Sequence, residues 1–160
     1  MARKYSHLSI NLSAARQSLI LFEKSNCQTE ESASMDDQEM LQTGMNIRKE
    51  IFGADVIERR MSSAGEFGAP LQKLINQYAY GEIWGRAALP RKMRSLLVLA
   101  MMCAANRPHE LRIHLRGAIA NGCSKEEIRE VLLQVAIYCG IPASLDAHDM
   151  AMEVFAEMKS

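Results

Sequence analysis

The chain has 160 residues, a length that fits one domain able to bury most of its apolar surface. Its 19 basic residues balance its 19 acidic residues, so no net field attracts nucleic acid or an anionic membrane surface. The longest wholly apolar run, residues 96–105, is about half the length that a membrane span needs. We therefore predict a cytoplasmic protein with neither a nucleic-acid nor a membrane partner.

The four cysteines, Cys27, Cys103, Cys123 and Cys139, are widely spaced along the chain. They form no Cys-x-x-Cys pair and no Cys/His cluster with the spacing of a zinc site. This pattern argues against redox catalysis, a disulfide framework and a structural metal. We expect reduced, structural thiols and no metal.

The amino-terminal segment, residues 1–34, differs in composition from the rest. Arg3, Lys4 and Arg16 precede any acidic residue, and residues 27–34 are polar and rich in serine and glutamate. An acid-poor basic start is also the composition of targeting peptides, although no cleavage site is evident. We predict a loosely ordered extension over residues 1–34 and a folded helical domain over residues 35–160.

From Asp37 onward, apolar residues recur at helical spacing, and no alternating stretch is long enough to predict a strand. Asp55 is placed to cap the start of a short helix, and Pro70 is placed to begin another helix. Ser124 and Glu127 form a capping box at the start of a later helix. The predicted helices span residues 40–52, 55–62, 70–84, 91–105, 108–122, 125–139 and 143–158. The sequence therefore predicts an all-α domain of about six to seven helices.

Two of the predicted helices are apolar nearly all round, over residues 96–105 and 131–139. A helix without a polar face must be surrounded, and a chain of this size has too few other helices to surround two of them. We expect other subunits to complete the fold. The alternative is that both helices pass through the centre of a monomeric bundle.

The chemistry of the sequence is concentrated around Glu110 and His114. At 3.6 residues per turn these positions lie roughly 40° apart on one helix face, with Arg107 on the same stripe. The small residues Gly117 and Ala118 continue the stripe and leave room for a ligand. A carboxylate beside an imidazole predicts a proton-transfer site, and a contact on a surface helix is the alternative.

The same segment superficially resembles the zinc motif His-Glu-x-x-His. His109 and His114, however, are five positions apart, which places them about 140° apart around the helix. We reject a metal site of that type.

Taken together, the motifs from about Gly44 to Phe155 resemble those of the 4-carboxymuconolactone decarboxylase family. They appear in the family's order as Gly81-Glu-Ile-Trp-Gly85, Leu89-Pro-Arg-Lys-Met-Arg-Ser95, Asn106-Arg-Pro-His-Glu-Leu-Arg-Ile-His114, Arg116-Gly-Ala118, Asn121-Gly122, Glu126-Glu-Ile-Arg-Glu-Val-Leu-Leu-Gln134 and Tyr138-Cys-Gly-Ile-Pro-Ala143. A related branch, which partners alkyl hydroperoxide reductase, has Cys-x-x-Cys-x-x-x-His where this chain has Arg107, Glu110 and His114. Without those thiols, thiol-based peroxidase chemistry is not expected.

The resemblance implies a reaction and an assembly. The reaction is the cofactor-free conversion of 4-carboxymuconolactone, an anionic lactone, to 3-oxoadipate enol-lactone in the protocatechuate branch of the β-ketoadipate pathway. The assembly is a homo-oligomer, commonly a hexamer built as a trimer of dimers. The alternatives are another lactone or carboxylate enzyme of the same superfamily, or a non-catalytic oligomeric module.

The resemblance also implies roles for individual side chains. His114 is the expected proton donor, because imidazole titrates near neutral pH. Glu110 is expected to orient it or to carry the proton itself. Arg94 and Arg107 are expected to bind the substrate's carboxylates through bidentate hydrogen bonds. Trp84 and Tyr138 are expected to line the pocket.

Overall fold

The computed structural model of the protein describes residues 36–158. Within that range it consists of helices and contains no strand, which confirms the predicted all-α class. The helices are α1 (Asp37–Phe52), α2 (Ala54–Ser63), α3 (Gly65–Leu74), a π-helical segment (Ile75–Trp84), α4 (Arg91–Ala104), α5 (Pro108–Ala120), α6 (Lys125–Cys139) and α7 (Ile141–Glu157). The predicted extension over residues 1–34 lies outside the described residues.

The helix predicted to open at Pro70 begins earlier, at Gly65, so the proline lies inside α3. A proline favours a first turn but is tolerated further along when the surroundings accept the lost hydrogen bond. From Ile75 the chain continues as the π-helical segment. π-Helical turns are rare and occur frequently at functional sites, and sequence periodicity does not reveal them.

Two other predicted boundaries differ from the structure. Gly53, not Asp55, precedes α2, and Asp55 lies in the first turn without a capping hydrogen bond, where its charge still favours the helix N-terminus. Helix α7 begins at Ile141, directly after Gly140. Pro142 occupies its first turn, where the missing N–H has no intrahelical partner to lose.

The predicted end of α5 and start of α6 are confirmed. Gly122 has a φ of 82°, the left-handed conformation that glycine adopts at helix ends. Ser124 and Glu127 form the predicted capping box, in which each side chain accepts a hydrogen bond from the other residue's backbone N–H.

Helices α4 to α7 enclose the larger of two apolar cores. It is centred on the fully buried Leu99, Leu115, Leu132 and Val154. Burying a side chain of this size stabilises the fold by roughly 1.5–3 kcal/mol relative to leaving it exposed. This core fixes α5, and thereby the face of α5 that carries Glu110 and His114.

The second core joins α1 to the π-helical segment through Ile47, Ile51, Tyr80 and Trp84. The two helices approach closely because Gly44 has no side chain to separate its backbone from the π-helical segment.

The two helices predicted to need partners each leave an apolar face uncovered. Met101 in α4 is 57% exposed, and Ile137 in α6 is 80% exposed. The alternative in which both helices run through the centre of a monomeric bundle is therefore wrong. None of the helices in residues 36–158 is long and apolar enough to cross a membrane.

Candidate active site

A cavity of about 580 Å³ lies between α1, α2, the π-helical segment, α4 and α5. Most of its wall is made of aliphatic and aromatic side chains. Its polar and ring-bearing side chains include Arg48, Arg60, Tyr80, Trp84, Glu110 and His114. We call it the acid–base cavity, because it contains both members of the pair that the sequence singled out.

Glu110 and His114 lie one turn apart on α5 and both line the acid–base cavity. Burial lowers the pKa of His114 below its ordinary value, while the nearby charge of Glu110 acts in the opposite direction. The ring of Phe52 meets that of His114 edge to face, with 5.8 Å between the ring centres. Both side chains adjoin a partly enclosed cavity, which favours the interpretation as a proton-transfer site over that as a contact on a surface helix.

Gly117 does not provide the ligand space that the sequence predicted. A Cβ atom at this position would lie 2.8 Å from the ring of Phe52 and 2.9 Å from Ile51. The space is filled by α1, which packs against α5 here. Ala118 is likewise fully buried in the larger core.

The cavity also contains side chains that the sequence did not single out, and the most deeply buried charged one is Arg48. Its side chain is buried, with 3% of the residue exposed, and it lines the acid–base cavity. Its Nη1 donates hydrogen bonds to Oδ1 of Asn76 and, over 3.2 Å, to Oε1 of Gln72. Its Nε is buried without a hydrogen-bond partner, and no carboxylate pairs with it among residues 36–158. Burial lowers its pKa, yet a guanidinium remains charged near neutral pH.

Tyr80 lies close enough to Arg48, Arg60 and Glu110 for each of their charges to affect its pKa. The guanidinium carbon of Arg48 is 5.5 Å from the centre of its ring. Burial raises the pKa of Tyr80 to about 12, with smaller opposing effects from Arg48 and Arg60 and a further rise from Glu110. The phenol is therefore neutral near pH 7 and able to donate a hydrogen bond. Trp84, predicted as a pocket wall, lines the cavity and stacks on Tyr80 at 5.4 Å.

The other three predicted binding residues do not line this cavity. Arg94 donates hydrogen bonds to the backbone oxygens of Leu89 and Arg86, which ties down the loop before α4. Arg107 is exposed just before α5, and Tyr138 is 82% exposed on α6. Their roles in substrate binding stay predictions, and the lining of this cavity does not support them.

A larger groove of about 970 Å³ runs between α4 and α6 and includes Met101, Ile137 and Tyr138 in its lining. It is mainly apolar and contains neither Glu110 nor His114. We therefore take the smaller acid–base cavity as the candidate active site, because it combines the Glu110–His114 pair with a buried cation and the larger groove does not. We refer to the larger feature as the α4/α6 groove.

The described cysteines lie outside the acid–base cavity. Cys103 and Cys123 are buried, and burial raises the pKa of both thiols, that of Cys103 to about 11. Thiols with raised pKa values are poor nucleophiles near neutral pH. In residues 36–158, no group of three or more His, Cys, Asp or Glu side chains is placed to hold a metal ion.

The fold and the site define a small all-α protein with an acid–base pair and a buried arginine in one small-molecule cavity. Residues 69–153 match the carboxymuconolactone decarboxylase family, and the chain belongs to that family. The matched segment contains Trp84, Glu110 and His114, whereas Arg48 and Arg60 precede it.

Individual relatives extend over more of the chain. The 4-carboxymuconolactone decarboxylase of Acinetobacter baylyi is 38% identical over 124 residues, which cover 78% of this chain and 92% of that protein. The nitrosuccinic acid decarboxylase of Metarhizium robertsii is 38% identical over 115 residues, 72% of this chain and 80% of that protein. An uncharacterized 15.0 kDa protein of Paracoccus denitrificans is 28% identical over 122 residues, 75% of this chain and 90% of that protein.

Proposed function

We propose that this protein is a cofactor-free carboxy-lyase that converts 4-carboxymuconolactone to 3-oxoadipate enol-lactone and CO2, a step of protocatechuate catabolism in the β-ketoadipate pathway. The observation that carries the proposal is that one cavity combines an acid–base pair with three arginines, Arg48, Arg60 and Arg116, in a chain of the decarboxylase family. The relative from Acinetobacter baylyi supports the choice of substrate.

The substrate explains why no cofactor is required. The carboxylate leaves from a ring carbon that is conjugated through a double bond to the lactone carbonyl. When the C–C bond breaks, its electron pair delocalises into the ring as a dienolate, and a proton then adds to the carbon next to the carbonyl. The protein has to hold two carboxylates, stabilise the oxygen that gains charge and supply that proton.

His114 is our proposed proton donor, with Glu110 as its partner. In the free enzyme, burial favours neutral imidazole. Two negative charges on a bound substrate favour imidazolium instead, so substrate binding raises the fraction of His114 that is protonated and able to donate. Glu110 either keeps His114 charged through its own carboxylate or carries the proton itself.

Neutral Tyr80 is suited to donate a hydrogen bond to the oxygen that gains charge. Arg48 and Arg60 supply the positive charge that a dianionic substrate requires. The aliphatic wall limits water, which strengthens each of these interactions.

The direct test follows the loss of ultraviolet absorbance when the purified protein meets freshly made lactone. We expect turnover by the wild type and a reduction of roughly 10²–10⁴-fold in kcat for His114→Ala, the usual contribution of a general acid. His109→Ala is the matched control, because His109 lies on the same helix but is exposed and outside the cavity. An inactive wild type contradicts the function, and a fully active His114→Ala contradicts the assignment.

A second candidate is a decarboxylase of the same superfamily that acts on another activated acid. It is favoured by the relative named for nitrosuccinic acid, whose identity to this chain is also 38%. Nitrosuccinate carries two carboxylates and a nitro group that accepts electrons as the lactone does. Equal amounts of the two substrates, with CO2 release measured for each, separate the candidates.

For the assembly, we propose a homo-oligomer, and specifically a hexamer, in which a second subunit covers the α4/α6 groove. The exposed apolar side chains of the groove support an interface of this kind. We propose the cytosol as its location, since a reducing compartment suits the free thiols Cys103, Cys123 and Cys139.

A further inference from the structure

The two named substrates share a carbon skeleton. In nitrosuccinate, the carbon next to the nitro group carries one carboxylate and, through a CH2 group, a second. In 4-carboxymuconolactone, the ring carbon that loses CO2 likewise carries one carboxylate and a CH2–carboxylate arm. Both are 2-substituted succinates in which the carboxylate beside the electron-accepting group leaves and the other stays.

The acid–base cavity contains a buried positive charge that has no anionic partner within the described part of the chain, residues 36–158. Arg48 is 3% exposed, its Nε has no hydrogen-bond partner, and none of the ion pairs in residues 36–158 includes it. A second cation, Arg60, lies close enough to lower the pKa of Arg48 further. An uncompensated buried charge is costly, so this position suits an anion that residues 36–158 do not provide.

We infer that Arg48 is the specificity-determining residue that holds the carboxylate retained in the product, and that the protein selects 2-substituted succinates through it. This inference rests on the proposed function. Arg48 would bind the CH2–carboxylate group that these substrates share, while the electron-accepting group can differ between them.

We assign Arg48 to the retained carboxylate, not the departing one, because only the departing carboxylate loses its charge during the reaction. The departing carboxylate loses its charge in the transition state, so a strong ion pair to it stabilises the reactant more than the transition state and slows the reaction. The retained carboxylate keeps its charge throughout. A buried guanidinium therefore binds that group equally well at every stage, which lowers KM without opposing the chemistry.

Arg48 is better placed for this role than Arg60. Its Nη1 is fixed by the side-chain oxygens of Gln72 and of Asn76, which is fully buried, and its guanidinium lies over the ring of Tyr80. A guanidinium held in this way loses little freedom when a carboxylate binds. Arg60 is exposed and lacks comparable side-chain anchors in the described structure.

The experiment uses a probe that cannot lose CO2, 5-oxo-2,5-dihydrofuran-2-acetate, which keeps the lactone ring and the CH2–carboxylate arm but lacks the departing carboxylate. Calorimetry measures its dissociation constant with the wild type, Arg48→Met and Arg129→Met. Arg129 is an exposed arginine of α6 outside the cavity and serves as the matched control. We expect roughly 100-fold weaker binding for Arg48→Met, as for removal of one partner of a buried charge pair, and no change for Arg129→Met.

Kinetics with 4-carboxymuconolactone provide the second measurement. We expect kcat/KM of Arg48→Met to fall about 100-fold, mainly through KM. Unchanged probe binding in Arg48→Met, or a loss confined to kcat, overturns the inference. If circular dichroism shows that Arg48→Met does not fold, Arg48→Lys is measured instead. We expect it to bind the probe about 10-fold more weakly than the wild type, because lysine cannot form bidentate hydrogen bonds to a carboxylate. Wild-type affinity in Arg48→Lys overturns the inference.

The design separates this inference from the proposed function. If the wild type does not turn over the lactone but binds the probe in an Arg48-dependent way, the proposed substrate is wrong and the subsite stands. If the wild type turns over the lactone but does not bind the probe, the subsite is wrong and the function stands. A protein that does neither contradicts both.

Discussion

Gly44 packs directly against the backbone carbonyl of Asn76, with no space between them for a Cβ atom. One turn further along α1, Arg48 donates a hydrogen bond to the side chain of the same asparagine. The close approach of the two helices therefore sets the position of the buried guanidinium in the acid–base cavity.

This relationship predicts that Gly44→Ala is strongly destabilising. The added methyl group meets backbone rather than a mobile side chain, so α1 and the π-helical segment must move apart. We expect a loss of about 3 kcal/mol in the free energy of unfolding, at the upper end for overpacking, measured by urea denaturation.

Gly68→Ala provides the control for that substitution. Gly68 lies within α3, and an added Cβ would contact only the Cβ of Ala64, at 3.1 Å. The higher helix propensity of alanine offsets this contact, so we expect a change within about 1 kcal/mol. Equal losses for both variants would show that the crossing at Gly44 has no special role.

The pH dependence of the rate tests His114. Because burial lowers the pKa of His114, the protonated donor of the free enzyme is lost as pH rises through a value below 6.5. We expect kcat/KM to fall with an inflection below pH 6.5 and kcat to fall at a higher pH, since the bound dianion favours imidazolium.

The pH–rate profile of Glu110→Gln tests whether Glu110 assists His114 or carries the proton itself. Removing the carboxylate removes the charge that raises the pKa of His114, so the inflection in kcat/KM moves to still lower pH. If Glu110 carries the proton, Glu110→Gln instead abolishes turnover while His114→Gln retains part of it. A profile that Glu110→Gln leaves unchanged contradicts any interaction between the two residues in catalysis.

The same shift predicts a change in stability with pH. The pKa of His114 is lower in the folded than in the unfolded chain, so below about pH 6.5 the unfolded chain binds the proton more readily. Relative to His114→Gln, the wild type should lose stability as pH falls from 7 to 5, with a slope of at most about 1.4 kcal/mol per pH unit. Urea denaturation at several pH values measures it, and parallel curves for the two proteins would rule it out.

The sequence predicted the elements whose signals are local. The capping residues Ser124 and Glu127 fixed the start of α6, and the i, i+4 spacing of Glu110 and His114 correctly placed both on one face. The roles of Arg94 and Arg107 as clamps were implied by the resemblance and by the chemistry of guanidinium, neither of which depends on the three-dimensional structure. Distance along the chain does not determine which side chains share a cavity.

Arg48 was missed because its partners are distant in sequence. Asn76 is 28 positions away, on a π-helical segment that no periodicity predicts. A weak local signal exists, since Arg48 lies between Ile47 and Ile51 on the face of α1 that becomes buried, and Gly44 precedes it by one turn. A charged residue on an otherwise buried helix face is an indication of function.

The uncovered faces of α4 and α6 make a prediction about assembly. Ile137 is 80% exposed in the α4/α6 groove, so Ile137→Glu places a charge in the proposed subunit interface. We expect the variant to form smaller species than the wild type in sedimentation-velocity experiments. Met152→Glu is the control, because Met152 is a comparably exposed apolar residue of α7 outside the groove. Dissociation by Met152→Glu but not by Ile137→Glu would place the subunit contact on α7, because a charge disrupts assembly only where it is buried against a partner.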